Sequence, residues 1–319
     1  LFPCLDRSRI NVLVAANLNE TLLDGSTIWL KTLTNTLASV AGVNVYIASN
    51  ALLVSNGVTA ELFDKPNVAK VDLYSTGSER NEEIAKQIHM LDRTAGGFDL
   101  IVLRGIDFAK VIVDKALRDR SVYYGAGMFA RNADGATVTD ETALQVATKC
   151  SGVIFQNATM RALFLERVPS FTGDCYCIAP CVEERALATA RATAVASGNE
   201  QLVVYAGKLI REYAVTELAQ AVARLRQRGG AVRLVILGNK FDNRDPEYQA
   251  EFEAAMTELG EAADWLPAVP PSVALAWVAR AHAVWGFRHG AFETSHFEIS
   301  TKMVEAIGCG TPIVLYPAP

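Results

Sequence analysis

The sequence predicts an α/β protein with two Rossmann-like domains, each built on a parallel β-sheet with helices on both faces. Strand-like and helix-like hydrophobic periods alternate along the chain, which is the pattern of βαβ units. The alternation is interrupted once, by the strand-free segment "VEERALATARATAVASGNE", and then restarts. A length of 319 residues also exceeds the roughly 150 residues of a typical domain. We therefore predict domains over 1–181 and 201–319, a linker over 182–200, and two sheets that face each other across a cleft.

Near-continuous apolar runs indicate strands that are buried on both faces of a sheet, and "INVLVAAN" (10–17) is the clearest of them. The next helix, "STIWLKTLTNTLASV", places Leu30, Leu33 and Leu37 on one face. Further strands of the first half are predicted at "VNVYIAS", "VDLY", "DLIVLRG", "SVYYG", "GVIFQ" and "CYCIA". The second half is predicted to run "QLVVYAG", a helix over 214–228, "VRLVILG", a helix over 247–259, "ADWLPAV", a helix over 272–281, "AVWGF", a helix that begins near Lys302, and "PIVLYP".

Composition and charge argue against some classes of protein. The net charge of −5 lacks the basic excess of proteins that bind a phosphate backbone, so no nucleic-acid partner is predicted. No apolar run reaches the roughly 18 residues that span a bilayer, and no signal peptide is visible. We expect a cytoplasmic protein, compatible with peripheral attachment at the inner membrane face. Because the chain begins at Leu1 and stops in the strand-like "VLYPAP", we also expect residues to be missing at both ends.

Two groups of side chains that can bind metals lack the pattern of a metal site, and no metal is predicted. Cysteines spaced C-x-C-x3-C match no standard zinc pattern, so we expect buried free thiols at Cys175, Cys177 and Cys181. Histidines also recur every seven residues, but their helix–strand–loop path does not force them to converge, at His282, His289 and His296.

The hexapeptide "GAGMFA" (125–130) fits the spacing of a dinucleotide-binding fingerprint. It follows the fifth predicted strand rather than the first, and Asp140 and Glu141 begin a helix instead of ending the next strand. We therefore interpret it as a glycine loop in which the backbone approaches the cleft.

Ligands of parallel α/β sheets bind beyond the carboxyl ends of the strands, so the loops there supply the candidate binding residues. After the first strand, Gly25 and Ser26 open a helix whose N-terminus favours an anion; the alternative is a plain N-cap by Asp24 or Ser26. After "QLVVYAG", Lys208 and Arg211 are two cations suited to a diphosphate; the alternative is a solvated loop.

The stretch "FEISTKMVEAIGCGTPIV" carries an unusual charge cluster on a short helix. Ser300 or Thr301 is a natural N-cap, which places Lys302 and Glu305 three residues apart in the helix and Glu298 just before it. A carboxylate there can accept two hydrogen bonds from a vicinal diol, and an ammonium near a helix N-terminus can hold phosphate. A nucleotide sugar offers both groups. The alternative is a surface ion pair worth about 0.3–0.5 kcal/mol.

Together these pieces resemble the retaining GT-B glycosyltransferases of the family 4 type, also called glycosyl transferases group 1. In the second half the resemblance rests on "YAGKL", "VRLVILG", "ADWLPAVPPSVALAWVARAHAVWGF" and "STKMVEAIGCGTPIV", which follow the family's order and spacing. In the first half it rests on the "DGS" loop and on "GVIFQNATMRALFLERV". The resemblance implies an N-terminal acceptor domain and a C-terminal domain that binds a nucleotide-diphosphate sugar.

The resemblance also implies roles for individual residues. Glu305 corresponds to the second Glu of the family's E-x7-E motif, which binds the ribose diol, and Lys208 to a basic residue that contacts the donor phosphates. Gly25 lies in the loop that approaches the diphosphate. Trp265 and Leu266 fall where the family's backbone touches the nucleobase.

Three positions depart from the family pattern. Phe297 stands where the first Glu is expected, Tyr213 stands where a second basic residue is expected, and the first-half histidine is absent after "SVYYG". The chain is similar to a subset with E-x-S-T-K-x-x-E in this place. We hypothesise that Glu298 takes the role of the first Glu and that Lys302 replaces the missing phosphate cation. The predicted donor set, with Glu298, Lys208 and Lys302 as its catalytic members, is Gly25, Ser26, Lys208, Arg211, Trp265, Leu266, Glu298, Ser300, Thr301, Lys302 and Glu305.

The predicted reaction is retaining transfer of a sugar from a nucleotide-diphosphate sugar to a glycan, lipid-linked or small-molecule acceptor, without a metal or other cofactor. Arg104 and Arg131, which follow first-half strands, are the acceptor-side candidates. Two alternatives stay open. One is a nucleotide-sugar 2-epimerase of the same fold, which needs acid/base carboxylates or histidines at the cleft, and the other is a catalytically degenerate nucleotide-binding relative.

Overall fold

The chain forms two compact units in a computed structural model that describes 8–17, 25–49, 60–71, 80–115, 117–132, 134, 136–194, 200–238, 241, 245–267, 269–290 and 297–316. The N-terminal unit comprises Leu1–Pro180 together with His296–Ile299. The C-terminal unit comprises Cys181–Ser295 together with Ser300–Pro319. Each unit has its own parallel sheet, which confirms the predicted α/β fold class.

The N-terminal unit is a parallel sheet in the order β3-β2-β1-β4-β5-β8-β9, with an antiparallel ribbon of β6 and β7 after β5. Its strands are β1 (Ile10–Ala16), β2 (Val43–Ser49), β3 (Val68–Lys70), β4 (Leu100–Arg104), β5 (Ser121–Tyr124), β6 (Phe129–Arg131), β7 (Thr137–Thr139), β8 (Gly152–Phe155) and β9 (Asp174–Cys177). Its helices are α1 (Gly25–Ala38), α2 (Arg80–Ala95), α3 (Ile106–Lys115), α4 (Glu141–Thr148) and α5 (Ala158–Arg167).

Strand β1 lies inside this sheet, paired with β2 on one side and with β4 on the other. Its side chains alternate between two layers, because Leu13 packs into one buried cluster and Val12 and Val14 pack into another. Leu30 of α1 belongs to the second cluster. A strand with helices on both faces has no solvent-facing side, which explains why its sequence is apolar throughout.

The C-terminal unit is a parallel sheet in the order β12-β11-β10-β13-β14. Its strands are β10 (Gln201–Ala206), β11 (Val232–Leu237), β12 (Ala263–Leu266), β13 (Ala283–Trp285) and β14 (Ile313–Val314). Its helices are α6 (Glu184–Thr193), α7 (Val215–Gln227), α8 (Pro246–Leu259), α9 (Pro271–Arg280) and α10 (Thr301–Cys309). The predicted helices of this half agree with the observed ones to within about one residue at their ends.

The predicted linker over 182–200 contains α6, which is instead part of the C-terminal unit. Ala190 is buried in the core of that unit, and Arg191 donates a hydrogen bond to the carbonyl of Gly308. Leu187 packs against Gly308, so closely that a Cβ built there would lie 3.0 Å from its methyl carbons. Leu187 and Ala190 are three residues apart on one helix face. This small apolar face explains why the segment packs on the C-terminal unit instead of serving as a free linker between the units.

Two smaller expectations also need correction. The strand expected at "VDLY" lies a few residues earlier, at β3, and most of "VDLY" falls outside the described residues. The thiols expected to be buried differ in exposure: Cys175 is half-buried, whereas Cys177 and Cys181 are exposed. Cys175 and Cys177 lie in β9, the last strand in the sheet order, and Cys181 lies beyond the end of that strand. Within the described part of the chain, no helix combines the length and the hydropathy needed to span a membrane.

Candidate functional site

The candidate site of the C-terminal unit lies where the parallel strands β10 and β11 end. The chain adds β11 and β12 on one side of β10 and then β13 and β14 on its other side. This makes the gap between β10 and β13 the topological switch point, where ligands of such sheets bind. Gly207 and Lys208 follow β10, and Gly238 follows β11. Lys302, in the first turn of α10, reaches the same place, because its Nζ donates a hydrogen bond to Tyr205 Oη at 3.2 Å.

Two glycines allow the loops at this edge to touch. The N–H of Gly207 donates to the carbonyl of Leu237 at 2.9 Å. Gly238 has φ +149°, and a Cβ at this position would lie 2.0 Å from the carbonyl oxygen of Gly207. Gly207 has φ +153°, and a Cβ there would lie 2.5 Å from Cε of Lys302. Gly238 has no room for a side chain, whereas a side chain at Gly207 would displace the end of Lys302, which lies directly over the backbone of Gly207.

The ammonium of Lys302 is held between two tyrosine rings. Its Nζ lies 4.0 Å from the ring centroid of Tyr213 and 4.5 Å from that of Tyr205. These distances are those of cation–π contacts, in which the electron-rich ring face attracts the cation. The Lys302 side chain is half-buried, so part of it stays open to a ligand.

The electrostatic surroundings of Lys302 favour an anionic ligand. The pKa of Lys302 is lowered to about 7, mainly by burial and also by the positive charges of Arg288 and Lys208, while Glu305 opposes this shift. Burial also raises the pKa of Glu305 to about 7, opposed by Lys302. An anion bound beside Lys302 would relieve the repulsion among the cations and favour its protonated form. Arg288, in the loop after β13, was not predicted, although a basic residue just past a strand is the signal that identified Lys208.

The carboxylate of Glu305 is positioned to accept hydrogen bonds from a ligand. It lies one helical turn after Lys302, and it is half-buried. Among the described residues, its interactions are electrostatic, with Lys302 and with the thiol of Cys309, so its oxygens keep their capacity as acceptors. A vicinal diol supplies two donors at the spacing of one carboxylate, which is the role predicted for this residue.

The start of α10 follows the sequence-based expectation. Ser300 occupies the N-cap position with extended backbone angles, and α10 ends at Gly310 in the left-handed conformation, with φ 74°. The Ser300 side chain makes no capping hydrogen bond, and the N–H of Met303 donates to the carbonyl of Ser300 at 3.1 Å. Helix geometry therefore leaves the N–H groups of Thr301 and Lys302 for another acceptor.

The two cations predicted after β10 differ in their surroundings. Lys208 is exposed, and its carbonyl accepts a hydrogen bond from the Tyr205 hydroxyl. The guanidinium of Arg211 pairs with the carboxylates of Asp245, at 2.8 Å, and Glu251, at 3.0 Å. Asp245 caps α8 and Glu251 lies within that helix, so Arg211 ties two segments of the unit together. These two ion pairs do not support the predicted contact of Arg211 with phosphate.

The indole of Trp265 is part of the core. Its Nε1 donates to the carbonyl of Gly238 at 2.8 Å, and its ring packs edge-on against Phe252 at a centroid distance of 5.2 Å. The carbonyl of Leu266 accepts a hydrogen bond from the N–H of Gly238 at 3.2 Å. The contact between a nucleobase and the backbone near this strand end stays a prediction.

The acceptor-side candidates lie in the N-terminal unit. At the carboxyl ends of β4 and β5, the guanidinium of Arg104 lies 4.8 Å from the ring centroid of Trp29 and 5.4 Å from that of Tyr124. In the same unit Gly25 and Ser26 are the first residues of α1. Of the "DGS" loop, Asp24 lies outside the described residues, as does the side chain of Ser26.

Residues 297–299 belong to the N-terminal unit although they directly precede α10. The carbonyl of Phe297 accepts a hydrogen bond from Asn157 Nδ2 at 2.7 Å, and the N–H of Ile299 donates to Gln156 Oε1 at 2.7 Å. The Phe297 ring packs on the core of this unit, and the guanidinium of Arg131 lies 5.0 Å from its centroid.

Glu298, predicted as a donor-side residue, is therefore anchored through both of its neighbours to the N-terminal unit. One of its oxygens lies near Gly127, 3.8 Å from a Cβ built there. Sequence reasoning missed this anchoring because the hydrogen-bonding partners lie 140 and 143 positions away.

Asn157→Asp should loosen residues 297–299. The carboxylate can still cap α5, because Asn157 Oδ1 accepts from the N–H of Met160, but it can no longer donate to the carbonyl of Phe297. We expect the amide hydrogen of Ile299 to exchange about fivefold faster, since a neutral hydrogen bond contributes about 1 kcal/mol. Hydrogen exchange followed by mass spectrometry on peptides that cover 297–303 measures this change.

Asn67→Asp is the matched control for that variant. It removes an amide donor to the carbonyls of Ala38 and Val43, elsewhere in the same unit. An unchanged exchange rate in Asn157→Asp, or an equal acceleration in the control, contradicts the proposed anchoring.

The sequence patterns set aside as decoys are described in part. The "GAGMFA" loop leads into β6 rather than into a helix, which rules out the strand–turn–helix geometry of a dinucleotide fingerprint. His282 Nδ1 accepts a hydrogen bond from the N–H of Leu202 at 3.0 Å, and His296 lies outside the described residues. In the described part of the chain, no three His, Cys, Asp or Glu side chains group as a metal site.

The chain thus combines two parallel α/β units with a lysine and a glutamate, Lys302 and Glu305, at the strand ends of the second unit. Residues 200–319, almost all of them in the C-terminal unit, match the family described as Glycosyl transferases group 1. This match confirms the predicted enzyme class. No curated protein matches the chain in sequence.

Solved structures share the fold over nearly the whole chain. Anabaena Alr3699/HepE, in complex with UDP and glucose, has a TM-score of 0.63 at 16% identity, covering 97% of this chain and 81% of that one. The E. coli structure described as trehalose-6-phosphate bound with UDP-2-fluoro glucose has a TM-score of 0.60 at 12% identity, covering 96% and 83%. A Listeria monocytogenes protein described as a UDP-N-acetylglucosamine 2-epimerase has a TM-score of 0.61 at 13% identity, covering 96% and 79%.

Proposed function

We propose that the chain transfers a sugar from a UDP-sugar to an acceptor, with retention of configuration and without a metal ion. The observation that carries this proposal is the pairing of Lys302 with Glu305 at the strand ends of the glycosyl transferases group 1 domain. The choice of uracil as the base is supported by the UDP and the UDP-sugar analogue held by two proteins of the same fold.

In the proposed complex the donor binds along α10 and the end of β10. The ribose diol donates two hydrogen bonds to the carboxylate of Glu305. The diphosphate lies against the ammonium of Lys302, with Lys208 and Arg288 nearby and with N–H groups of the first turn of α10 as further donors. Several cations surround one dianionic group, and this charge balance makes a metal ion unnecessary in the proposal.

The proposed reaction breaks the bond between the anomeric carbon and the phosphate oxygen of the donor. The electron pair of that bond stays on the oxygen of UDP, where Lys302 and Lys208 stabilise the developing negative charge; such stabilisation is usually the largest catalytic contribution. The acceptor hydroxyl attacks the anomeric carbon from the same face, and its proton moves to the departing phosphate. We assign Glu298 to orienting the sugar hydroxyls and Arg104 and Arg131 to the acceptor.

A UDP titration tests the donor assignment. UDP at about 100 times its dissociation constant should raise the free energy of unfolding by about 2.7 kcal/mol, which appears as a higher melting temperature. Glu305→Ala should lose most of this stabilisation, because the ribose diol loses its acceptor. Thermal shift and calorimetry with UDP, GDP and ADP measure both effects. If no nucleoside diphosphate stabilises the unaltered protein, the proposal is wrong.

A nucleotide-sugar 2-epimerase is the second candidate, favoured by the similarity in fold to the Listeria protein. Product analysis separates the two reactions, because a transferase releases UDP and links the sugar to an acceptor, whereas an epimerase returns an isomeric UDP-sugar. A protein that binds UDP but converts no UDP-sugar would be a degenerate relative.

A further inference from the structure

The two tyrosines that enclose Lys302 form a fixed cage. The rings of Tyr205 and Tyr213 come from different segments, the end of β10 and the turn that precedes α7, with centroids 6.5 Å apart and planes at 51°. The ammonium lies at cation–π distance from both rings and also donates a hydrogen bond to Tyr205 Oη. We call Tyr205 and Tyr213 the tyrosine cage.

The walls of the cage have little freedom to move. Tyr205 is fully buried, and its hydroxyl donates to the carbonyl of Lys208. The carbonyl of Tyr213 accepts a hydrogen bond from Trp285 Nε1 at 2.9 Å. Gly207 forms the floor, because its missing side chain leaves the space that the end of Lys302 occupies.

A cage of aromatic rings holds a cation without neutralising it. A carboxylate partner would cancel the charge of Lys302, whereas ring faces attract the ammonium and leave its full charge for a ligand. Lysine has a flexible four-carbon stem, so an ordered ammonium binds phosphate with less loss of side-chain entropy.

The cage also opposes two competing arrangements. Arg288 and Lys208 repel the ammonium of Lys302, and Glu305 attracts it from one turn along the same helix. Without the rings, the ammonium would turn toward solvent or toward Glu305. An ion pair with Glu305 would occupy the carboxylate that the ribose diol needs.

We infer that Tyr205 and Tyr213 are positioning residues that hold the Lys302 ammonium in place for the diphosphate of the donor. This inference rests on the proposed function, because it assigns the ligand of Lys302 to a nucleoside diphosphate.

Tyr213→Leu tests the inference in a double-mutant cycle with Lys302→Met. In the otherwise unaltered protein, Tyr213→Leu should weaken UDP binding about threefold to tenfold, the range of a partly desolvated cation–π contact. In the Lys302→Met background the same change should have no further effect. Tyr213→Phe keeps the ring and should stay within about twofold of the unaltered protein. Isothermal titration calorimetry with UDP, and with uridine as the ligand without phosphate, measures these changes.

Trp277→Leu is the matched control. It removes the ring that lies 4.3 Å beneath the guanidinium of Arg280 in α9, a cation–π pair outside the cage, and should leave UDP binding unchanged. If Tyr213→Leu does not fold, Tyr213→Met carries the same expectation, because its flexible side chain has a similar volume and fills irregular gaps better.

The outcomes separate the inference from the proposed function. If the unaltered protein binds no nucleoside diphosphate, both are wrong. If it binds UDP and Tyr213→Leu binds it equally well, only the inference is overturned. An equal loss in the Lys302→Met background, or an equal loss with uridine, also overturns it, because Tyr213 would then act without Lys302 or without the phosphates.

Discussion

Lys302→Met should lower the turnover of a UDP-sugar by about 100- to 1,000-fold, the usual effect of removing one group that stabilises a developing oxyanion. Methionine matches much of the length of lysine, so it can fill the space over Gly207 while the positive charge is lost. The measurement is kcat and kcat/KM for release of UDP from the donor identified in the titration. A fall in kcat is expected in addition to weaker binding, because the charge on UDP grows during bond cleavage.

Arg280→Met is the matched control for Lys302→Met. It removes a cation that also lies over an aromatic ring, in a helix of the same unit, and should leave turnover unchanged. Turnover by Lys302→Met within about threefold of the unaltered protein would contradict the assignment, because such a change is below the effect of a single oxyanion contact.

The pH dependence of UDP binding gives a second measure of the same residue. The free protein has Lys302 and Glu305 with pKa values brought to about 7 from opposite directions, mainly by burial. At lower pH Glu305 is protonated and cannot accept from the diol; at higher pH Lys302 loses its charge and repulsion from Arg288 and Lys208 disfavours regaining it. Affinity should therefore be highest near pH 7, with two limbs that belong to the coupled pair. Lys302→Met should remove the alkaline limb, and Glu305→Gln the acidic one.

Gly238→Ala should lower the free energy of unfolding by roughly 3 kcal/mol or more. Two costs combine, since φ +149° is a strained conformation for alanine and the new Cβ would lie 2.0 Å from the carbonyl oxygen of Gly207. The loops after β10 and β11 would have to separate, which also disturbs the backbone beneath Lys302. Chemical denaturation followed by circular dichroism measures the loss.

Gly260→Ala is the control for the steric part of that effect. Gly260 also has a positive φ, +51°, but a Cβ there meets nothing within 4 Å. Its cost should be about 1–3 kcal/mol, the strain of its backbone angles, φ 51° and ψ −126°, without a steric clash. Equal losses in the two variants would show that the close approach of Gly207 and Gly238 is unimportant for stability.

Much of the fold was predictable because a strand that is buried on both faces has a near-continuous apolar sequence. The apolar runs of β1, β10 and β11 fill two layers each, so their location follows from composition alone. The packing of α6 on the C-terminal unit was not predicted, because its buried face includes small residues such as Ala190, whose hydrophobic contrast with the exposed alanines is low. The strand β3 was misplaced because it has only three residues, too few to show a period.

The candidate site was predictable only where its members are close in sequence. Lys302 and Glu305 were identified from their spacing on one helix, and Lys208 from its place after a strand. The contact between Lys302 and Tyr205 joins positions 97 residues apart, and no local pattern indicates it. Tyr213 was noticed only as a departure from the family pattern, and its role as a wall of the cage required the fold.

The anchoring of residues 297–299 has a consequence for recombination between related enzymes. A gene fusion that exchanges the second half of this chain for that of a relative would replace Phe297 and Ile299 but retain Asn157 and Gln156. The retained first half would then carry two amide side chains, Asn157 and Gln156, without the backbone segment to which they normally bond. Successful chimaeras should therefore take these four residues from the same parent, so that each amide keeps its backbone partner.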